Sequence, residues 1–238
     1  MPDTNAAVVI DHLQYTWSGH TTPTLAIDAL HIAAGEHLFI SGPSGSGKST
    51  LLGIVAGILL PEQGHVTVLG TALHTLPAAR RDTFRADHIG FIFQQFNLIP
   101  YLSIIDNVLL PCRFSALRRQ RATANGQTLQ QACEVLLHQL DLAPALWHTS
   151  VTQLSIGQQQ RVAAARALIG APEIIIADEP TSALDSDRRE GFLQLLANAC
   201  NSTGATLIFI SHDMHLASRF TRHIALTDIN HASSRETI

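Results

Sequence analysis

Lysine is almost missing from this chain. Of its 15 lysine and arginine residues, Lys48 is the sole lysine. Cysteine is scarce as well. Cys112, Cys133 and Cys200 are odd in number, far apart and without a CxxC pair, which argues against a disulfide or zinc framework and predicts buried thiols in a reducing compartment. Charged residues make up 14% of the 238 and the net charge is −4, so there is no electrostatic footprint for nucleic acid and no nucleic-acid partner is expected. No apolar run approaches the ~20 residues that cross a bilayer. Met1-Pro2-Asp3-Thr4-Asn5 has neither the basic start nor the apolar stretch of a signal peptide, and the chain is expected to be soluble by itself. The 13 histidines are scattered and read as surface or interior polar residues, not as metal ligands. What remains is a 46% hydrophobic composition. It suits one large compact domain, or one domain with a subdomain, and not a disordered chain.

The single lysine falls in Gly42-Pro43-Ser44-Gly45-Ser46-Gly47-Lys48-Ser49-Thr50, which fits the phosphate-loop pattern GxxxxGK[ST] at every fixed position. Its glycines let consecutive backbone N–H groups turn inward around an anionic phosphate, and the helix that follows aims its positive end at the same place. Lys48 can then reach the β- and γ-phosphates of ATP, and the Ser49 hydroxyl can ligate Mg²⁺. A compact ammonium on a flexible stem fits such a loop where a planar guanidinium does not. The flanks agree: residues 37–40 read as a buried strand and residues 51–56 as a helix ending near Gly57.

The pattern before the loop is of strands and turns. Residues 8–10 and 13–17 read as two short β segments, residues 18–23 as a turn and residues 25–32 as a loosely alternating strand. Trp17 and Tyr15 are both candidates to stack on an adenine ring. After the loop come a turn at residues 61–64, a strand at 65–70, a solvated charged helix at 80–85 and a strand at 89–93 with Gln94 at its exit. Residues 95–165 then change to apolar spacings of three and four. Leu129, Ala132, Cys133, Leu136, Leu137 and Leu140 form one helical stripe, and residues 118–121 read as a polar face. This predicts a helical insertion in an α/β domain, with a core at about residues 1–94 and 166–238.

Residues 173–179 form a β-branched run ending in two carboxylates, as expected of a strand buried on both faces of a parallel sheet. Ligands bind at the carboxyl ends of such strands. Asp178 is therefore placed to hold Mg²⁺, and Glu179 to polarise an attacking water. Residues 188–200 read as a helix with Phe192, Leu195 and Leu196 inward. Residues 206–210 are another buried strand, with His212 at its exit as a candidate partner of the γ-phosphate. The last residues are polar and expected to fray.

Leu154-Ser155-Ile156-Gly157-Gln158-Gln159-Gln160-Arg161 resembles the LSGGQ signature of the ATP-binding-cassette (ABC) family. The resemblance covers nearly the whole chain and implies a P-loop NTPase fold of ABC type, with a mixed or parallel sheet core, an N-terminal antiparallel β subdomain and a helical insertion. It implies that Gln94 is the Q-loop glutamine, which also meets Mg²⁺, that Asp178 is the Walker B aspartate and that Glu179 is the catalytic glutamate. Ser182-Ala183-Leu184-Asp185 matches the D-loop and His212 the switch histidine. Trp17 aligns with the adenine-stacking aromatic better than Tyr15. The family works as a head-to-tail dimer of two copies, each ATP lying between one phosphate loop and the other copy's signature. Ser155, Gly157, Gln158 and Asp185 would then act in trans. Ile156 departs from the pattern by replacing the first signature glycine. A β-branched residue disfavours positive φ, so an ordinary opening turn of helix is expected there, with Gly157 keeping the close approach and activity retained. If the position needs glycine geometry, this copy would be weakened or paired with an intact partner.

Residues 90–100 further resemble the lipoprotein-release, macrolide-export and cell-division ATPases (LolD, MacB, FtsE). That implies a separate FtsX/MacB-like membrane permease, mechanical transmission in place of cargo passage, and a position on the cytoplasmic face of the inner membrane. Phe96, Leu98, Ile99, Tyr101 and Leu102 are candidates for the surface that meets it. With an end near residue 238, the regulatory extension of some importer ATPases is not expected. A regulatory adaptor without transport is the alternative. A soluble ATPase of DNA maintenance is a weaker one, since coiled coils, zinc modules and a basic surface are lacking.

Overall fold

The computed structural model describes residues 6–182 and 184–232. Residues 1–5, which lack signal-peptide character, Ala183 of the D-loop match and residues 233–238 at the polar end lie outside them. In chain order the elements are β1 (Ala6–Tyr15), β2 (Leu25–Ala33), β3 (His37–Ser41), α1 (Lys48–Val55), β4 (Gln63–Val68), β5 (Thr71–Ala72), α2 (Ala78–His88) and β6 (Ile89–Ile92). Next come α3 (Ile104–Phe114), α4 (Ala116–Ala122), α5 (Leu129–Gln139), α6 (Ile156–Leu168) and β7 (Ile174–Asp178). The chain closes with α7 (Ser186–Thr203), β8 (Thr206–Ile210), β9 (Arg222–Ala225) and α8 (Leu226–Ile229). Two compact units result, one of residues 1–85 and 208–238, the other of residues 86–207.

The first unit holds a four-stranded sheet in the order β2-β1-β4-β5, with β1 antiparallel to both β2 and β4. The two β segments expected near its start are one strand. His12 sits at φ 51 and the β1–β4 register shifts between Asp11 and Gln14, so the break in alternation is a bulge and not a turn. Val8, Ile10 and Leu13 are buried on its inner face. The same unit carries β3, buried along its whole length and parallel to β9, with the Ile208–Ile210 end of β8 on its other side.

In the second unit β6 runs parallel to β7, and Thr206 at the start of β8 donates its N–H to the Glu173 carbonyl, 2.8 Å away. Ile174, Ile175, Ile176 and Ala177 have no exposed surface, which is the two-sided burial read from their composition. Gly90 allows α6 to lie directly on β6. A Cβ at that position would stand 2.2 Å from the Ala167 carbonyl oxygen.

In the second unit α3, α5 and α6 pack on one another. Ala132, Cys133, Leu137 and Leu140 of the stripe are buried, while Leu129 and Leu136 are half-buried. On α7 the inward residues are Phe192, Leu193 and Leu196; Leu195, expected inward, is half-buried. The 3.6-residue period explains this, because Phe192, Leu193, Leu196, Ala199 and Cys200 share one face. Burial pushes the thiols of Cys133 and Cys200 up to about 12, so both are inert at neutral pH.

The polar face expected at residues 118–121 holds for Arg119 and Gln120, which are exposed, but not for Arg118. Arg118 is 2% exposed. Its Nε donates to the Ile169 carbonyl at 2.8 Å and its Nη2 to that of Ala167. A guanidinium supplies five donors in a fixed fork, and here it satisfies carbonyls at the end of α6 that would otherwise be buried unpaired. Burial lowers its pKa to about 10. Arg121 grips Glu173 with Nη1 at 3.1 Å and Nη2 at 2.5 Å, and His88 Nδ1 lies 3.0 Å from the same carboxylate.

Candidate nucleotide-binding site

The phosphate loop, Tyr15, Trp17 and His212 belong to the first unit. The loop leaves β3 at Ser41 and enters α1 through Gly47, whose φ of 98 lies in the left-handed region. A side chain there would also strike Leu25 Cδ2 at 2.7 Å, so sterics and backbone both require glycine. Lys48 is 8% exposed, and its Nζ donates to the carbonyls of Gly42 and Pro43, both at 2.8 Å. A buried ammonium met by two neutral carbonyls is electrostatically under-compensated, which suits an anion. Ser46 Oγ is buried with no hydrogen-bond partner. An orphaned hydroxyl beside a buried cation fits a phosphate oxygen.

Ser49, Lys48's neighbour, is exposed, while Thr50 is buried and its Oγ1 accepts from Trp17 Nε1 at 3.4 Å. That contact holds Trp17 against the opening turn of α1 and leaves it 44% exposed. Tyr15 lies half-buried behind it, edge-on with ring centroids 5.4 Å apart. His212 is exposed; the preceding residue, Ser211, donates its N–H to the Ile40 carbonyl at 3.3 Å. His212 therefore leaves β8 at the level where β3 delivers the phosphate loop.

In the second unit the β6–β7 register pairs Ile92 with Ala177. Gln94, just beyond one strand, and Asp178 and Glu179, at the end of the other, consequently share one sheet edge. Gln94 is exposed and both carboxylates are half-buried. Glu179 adopts φ 45, a costly conformation for a residue with a long side chain. The turn after it is fixed from α6, because Gln160 Nε2 donates to the Pro180 carbonyl at 2.8 Å. A carboxylate at the end of an apolar strand, as Asp178 is, has the hard oxygen donors that Mg²⁺ prefers.

The stretch after Gln94 is braced by two residues that the sequence pattern did not single out. Phe96 and Asn97 have φ 59 and 48, and Arg166 of α6 donates to their carbonyls at 2.5 and 2.6 Å. Asn107 of α3 has no exposed surface; it accepts from Ile99 N–H at 2.8 Å and donates to the carbonyls of Ile99, Leu102 and Ser103. An asparagine among Ile104, Ile105 and Val108 was the available signal. Of the five candidates for a partner surface, Phe96 is buried and belongs to the core, Leu98, Ile99 and Leu102 are half-buried, and Tyr101 is 84% exposed.

The signature stretch opens α6. Ser155 is its N-cap: Ser155 Oγ accepts from Gln158 N–H at 3.3 Å, and Gln158 Oε1 accepts from Ser155 N–H at 2.9 Å. This capping box makes Ile156 the first helical residue, without a positive φ, as expected of a β-branched side chain there. Ile156 is 51% exposed. Asp185 caps α7 in turn, accepting from Arg188 N–H at 3.0 Å.

A phosphate loop entering α1, carboxylates ending a buried parallel strand and a capped signature helix define a class, and comparison with known proteins places the chain in it. The ABC transporter family matches residues 26–182. The chain belongs to that family, as one of its ATP-binding, ATP-hydrolysing cassettes. Among its relatives is the uncharacterized ABC transporter ATP-binding protein YbbA of Escherichia coli K12, 42% identical over 84% of each chain. The lipoprotein-releasing system ATP-binding protein LolD of Rhodopseudomonas palustris is 36% identical over 90% of this chain and 89% of its own. The solved cassette MJ0796, a dimer in a post-hydrolysis state with ADP and Pi, superposes with a TM-score of 0.77 at 37% identity, covering 92% and 93% of the two chains; MJ0796 is from Methanocaldococcus jannaschii. No helix among the described residues is long and apolar enough to cross a membrane.

Proposed function

We propose that the chain is the motor subunit of an export or lipoprotein-release system. It would drive a separate FtsX/MacB-like permease from the cytoplasmic face of the inner membrane by mechanical transmission. The observation that carries the nucleotide reading is the cradle of Lys48 and Ser46, a buried cation and an orphaned hydroxyl on a glycine-turned loop. Relatives that include a lipoprotein-releasing subunit and an ADP-bound dimer support the rest.

In this reading the loop N–H groups and Lys48 bind the β- and γ-phosphates of ATP, and Trp17 offers its open face to the adenine. Ser49, Asp178 and Gln94 would hold Mg²⁺, which would supply charge neutralisation to the phosphate oxygens. Glu179, fixed by the strained turn behind it, orients the attacking water and takes its proton. His212 hydrogen-bonds the γ-phosphate. Ser155 Oγ, which accepts in its own cap, has its hydroxyl proton to donate to a second copy's γ-phosphate, and the N-terminus of α6 favours that anion. Gly157, Gln158 and Asp185 complete that trans face. ATP thus joins two copies and hydrolysis parts them, and exposed Tyr101 is placed to pass the motion to the permease.

Glu179→Gln should bind Mg-ATP as the unsubstituted protein does and hydrolyse it at least ~100-fold more slowly. Hydrolysis at the native rate would remove Glu179 from the mechanism. Copurification from host membranes should recover one integral-membrane partner; recovery of the chain without one would contradict the permease assignment.

A further inference from the structure

The amide of Asn230 uses all its hydrogen-bonding capacity on the back of the phosphate loop and the strand beside it. Its Oδ1 accepts from Ala26 N–H at 2.8 Å and from Ala232 N–H at 3.2 Å. Its Nδ2 donates to the Thr24 carbonyl at 3.0 Å and to the Ser46 carbonyl at 3.2 Å. An asparagine amide has two donors and two acceptor lone pairs, so none is left over. The backbone reinforces the anchor: Ile27 and Asn230 form an isolated antiparallel bridge, and His231 N–H bonds the Ala26 carbonyl at 2.8 Å. Leu226, fully buried at the start of the same segment, lies 3.6 Å from where a Cβ on Gly42 would be. The segment from Leu226 to Asn230 therefore touches the loop at both ends.

The Ser46 bond has a consequence for the ligand side. A trans peptide points its C=O and its N–H in opposite directions. Drawing the Ser46 carbonyl outward onto Asn230 turns the Gly47 N–H the other way, into the ring of donors. Gly47 holds φ 98 at the mouth of α1. We infer that Asn230 is a positioning residue for nucleotide binding, setting the Ser46–Gly47 peptide so that its N–H meets a phosphate oxygen. This rests on the reading of the loop as the triphosphate cradle. In this role Asn230 acts through the loop.

The test compares Asn230→Asp and Asn230→Ala with the unsubstituted chain, by fluorescent-ATP binding, steady-state hydrolysis and thermal melting. Asn230→Asp is nearly isosteric and keeps both acceptor bonds, but has lost the donors to Thr24 and Ser46. Nucleotide Kd and KM should rise about fivefold to tenfold in both variants, with kcat within about twofold, because the groups that attack and leave are untouched. Unchanged KM, or a fall in kcat at constant KM, would overturn the inference. An independent readout needs no variant. Nucleotide should slow hydrogen exchange across residues 226–232 as well as 42–50 of the unsubstituted protein, and protection confined to the loop would also overturn it. If the unsubstituted chain fails to bind nucleotide, the reading of the loop falls and this inference with it. Normal binding that is indifferent to both substitutions sinks Asn230 alone.

Discussion

Gly157→Ala should separate stability from assembly in one substitution. A Cβ at this position would meet a single atom, Leu184 Cδ2 at 3.8 Å, which is ordinary van der Waals distance. Gly157 is the second residue of α6 and has no positive φ, so alanine fits its backbone. Removing glycine from a compatible helical site stabilises by about 0.4–1 kcal/mol through the unfolded chain. For a chain of this size that raises Tm by about 1–4 °C. Nothing in the fold itself thus accounts for glycine. If a second copy's γ-phosphate docks against this turn, the methyl holds it off the helix N-terminus. The dimer dissociation constant with Mg-ATP should then rise at least about tenfold, or ~1.4 kcal/mol. Calorimetry reads the first effect, and analytical ultracentrifugation of the doubly substituted Glu179→Gln, Gly157→Ala chain reads the second. A variant that melts higher and dimerises like its parent would refute the placement of the signature in the seam.

Two further predictions concern the second unit. Burial alone would push the Glu173 carboxyl up, but hydrogen bonds from His88 and Arg121 outweigh it and hold it down at about 2, against an ordinary 4.5. A carboxylate lowered in the folded state stabilises above its unfolded value and loses that contribution as pH falls from about 4.5 to about 2. With a third of the side chain exposed, screening leaves about 1–2 kcal/mol. Glu173→Gln should therefore melt lower than the parent at pH 7 and converge with it as pH falls to about 2; an equal gap at both would contradict the ion-pair account. Gly90→Ala forces a methyl against the Ala167 carbonyl 2.2 Å away and should cost about 3 kcal/mol. Urea unfolding checks it, and an unchanged midpoint would show that α6 does not lie on β6 so closely.

The parts of the site made of consecutive residues were legible in the sequence. The phosphate loop reads from its own spacing, and the run at residues 173–179 reads from its β-branched composition, because a strand buried on both faces needs no alternation. That Ile156 takes no positive φ followed from β-branched sterics, and that a helix opens there followed from the resemblance of residues 154–161 to the signature motif. What escaped depends on pairs far apart in the chain. Arg118 sits in a run that looks solvated, and only the carbonyls of Ala167 and Ile169, 49 and 51 residues away, reveal it as a buried brace. Asn230 bonds Ala26 and Thr24 across 204 and 206 residues, a pairing with no local signature. Phe96 reads as a surface aromatic until its left-handed backbone and the grip of Arg166 turn it inward. The first strand looks like two in the sequence because the bulge at His12 breaks the period of two while its pairing with β2 continues.

Nucleotide is expected to join two copies of this chain. Light scattering on Glu179→Gln in Mg-ATP, with Mg-ADP as the control, measures it directly. Two copies of a 25.7 kDa chain should travel together in Mg-ATP and separate in Mg-ADP. A mass that stays at one copy with the nucleotide bound would contradict the account.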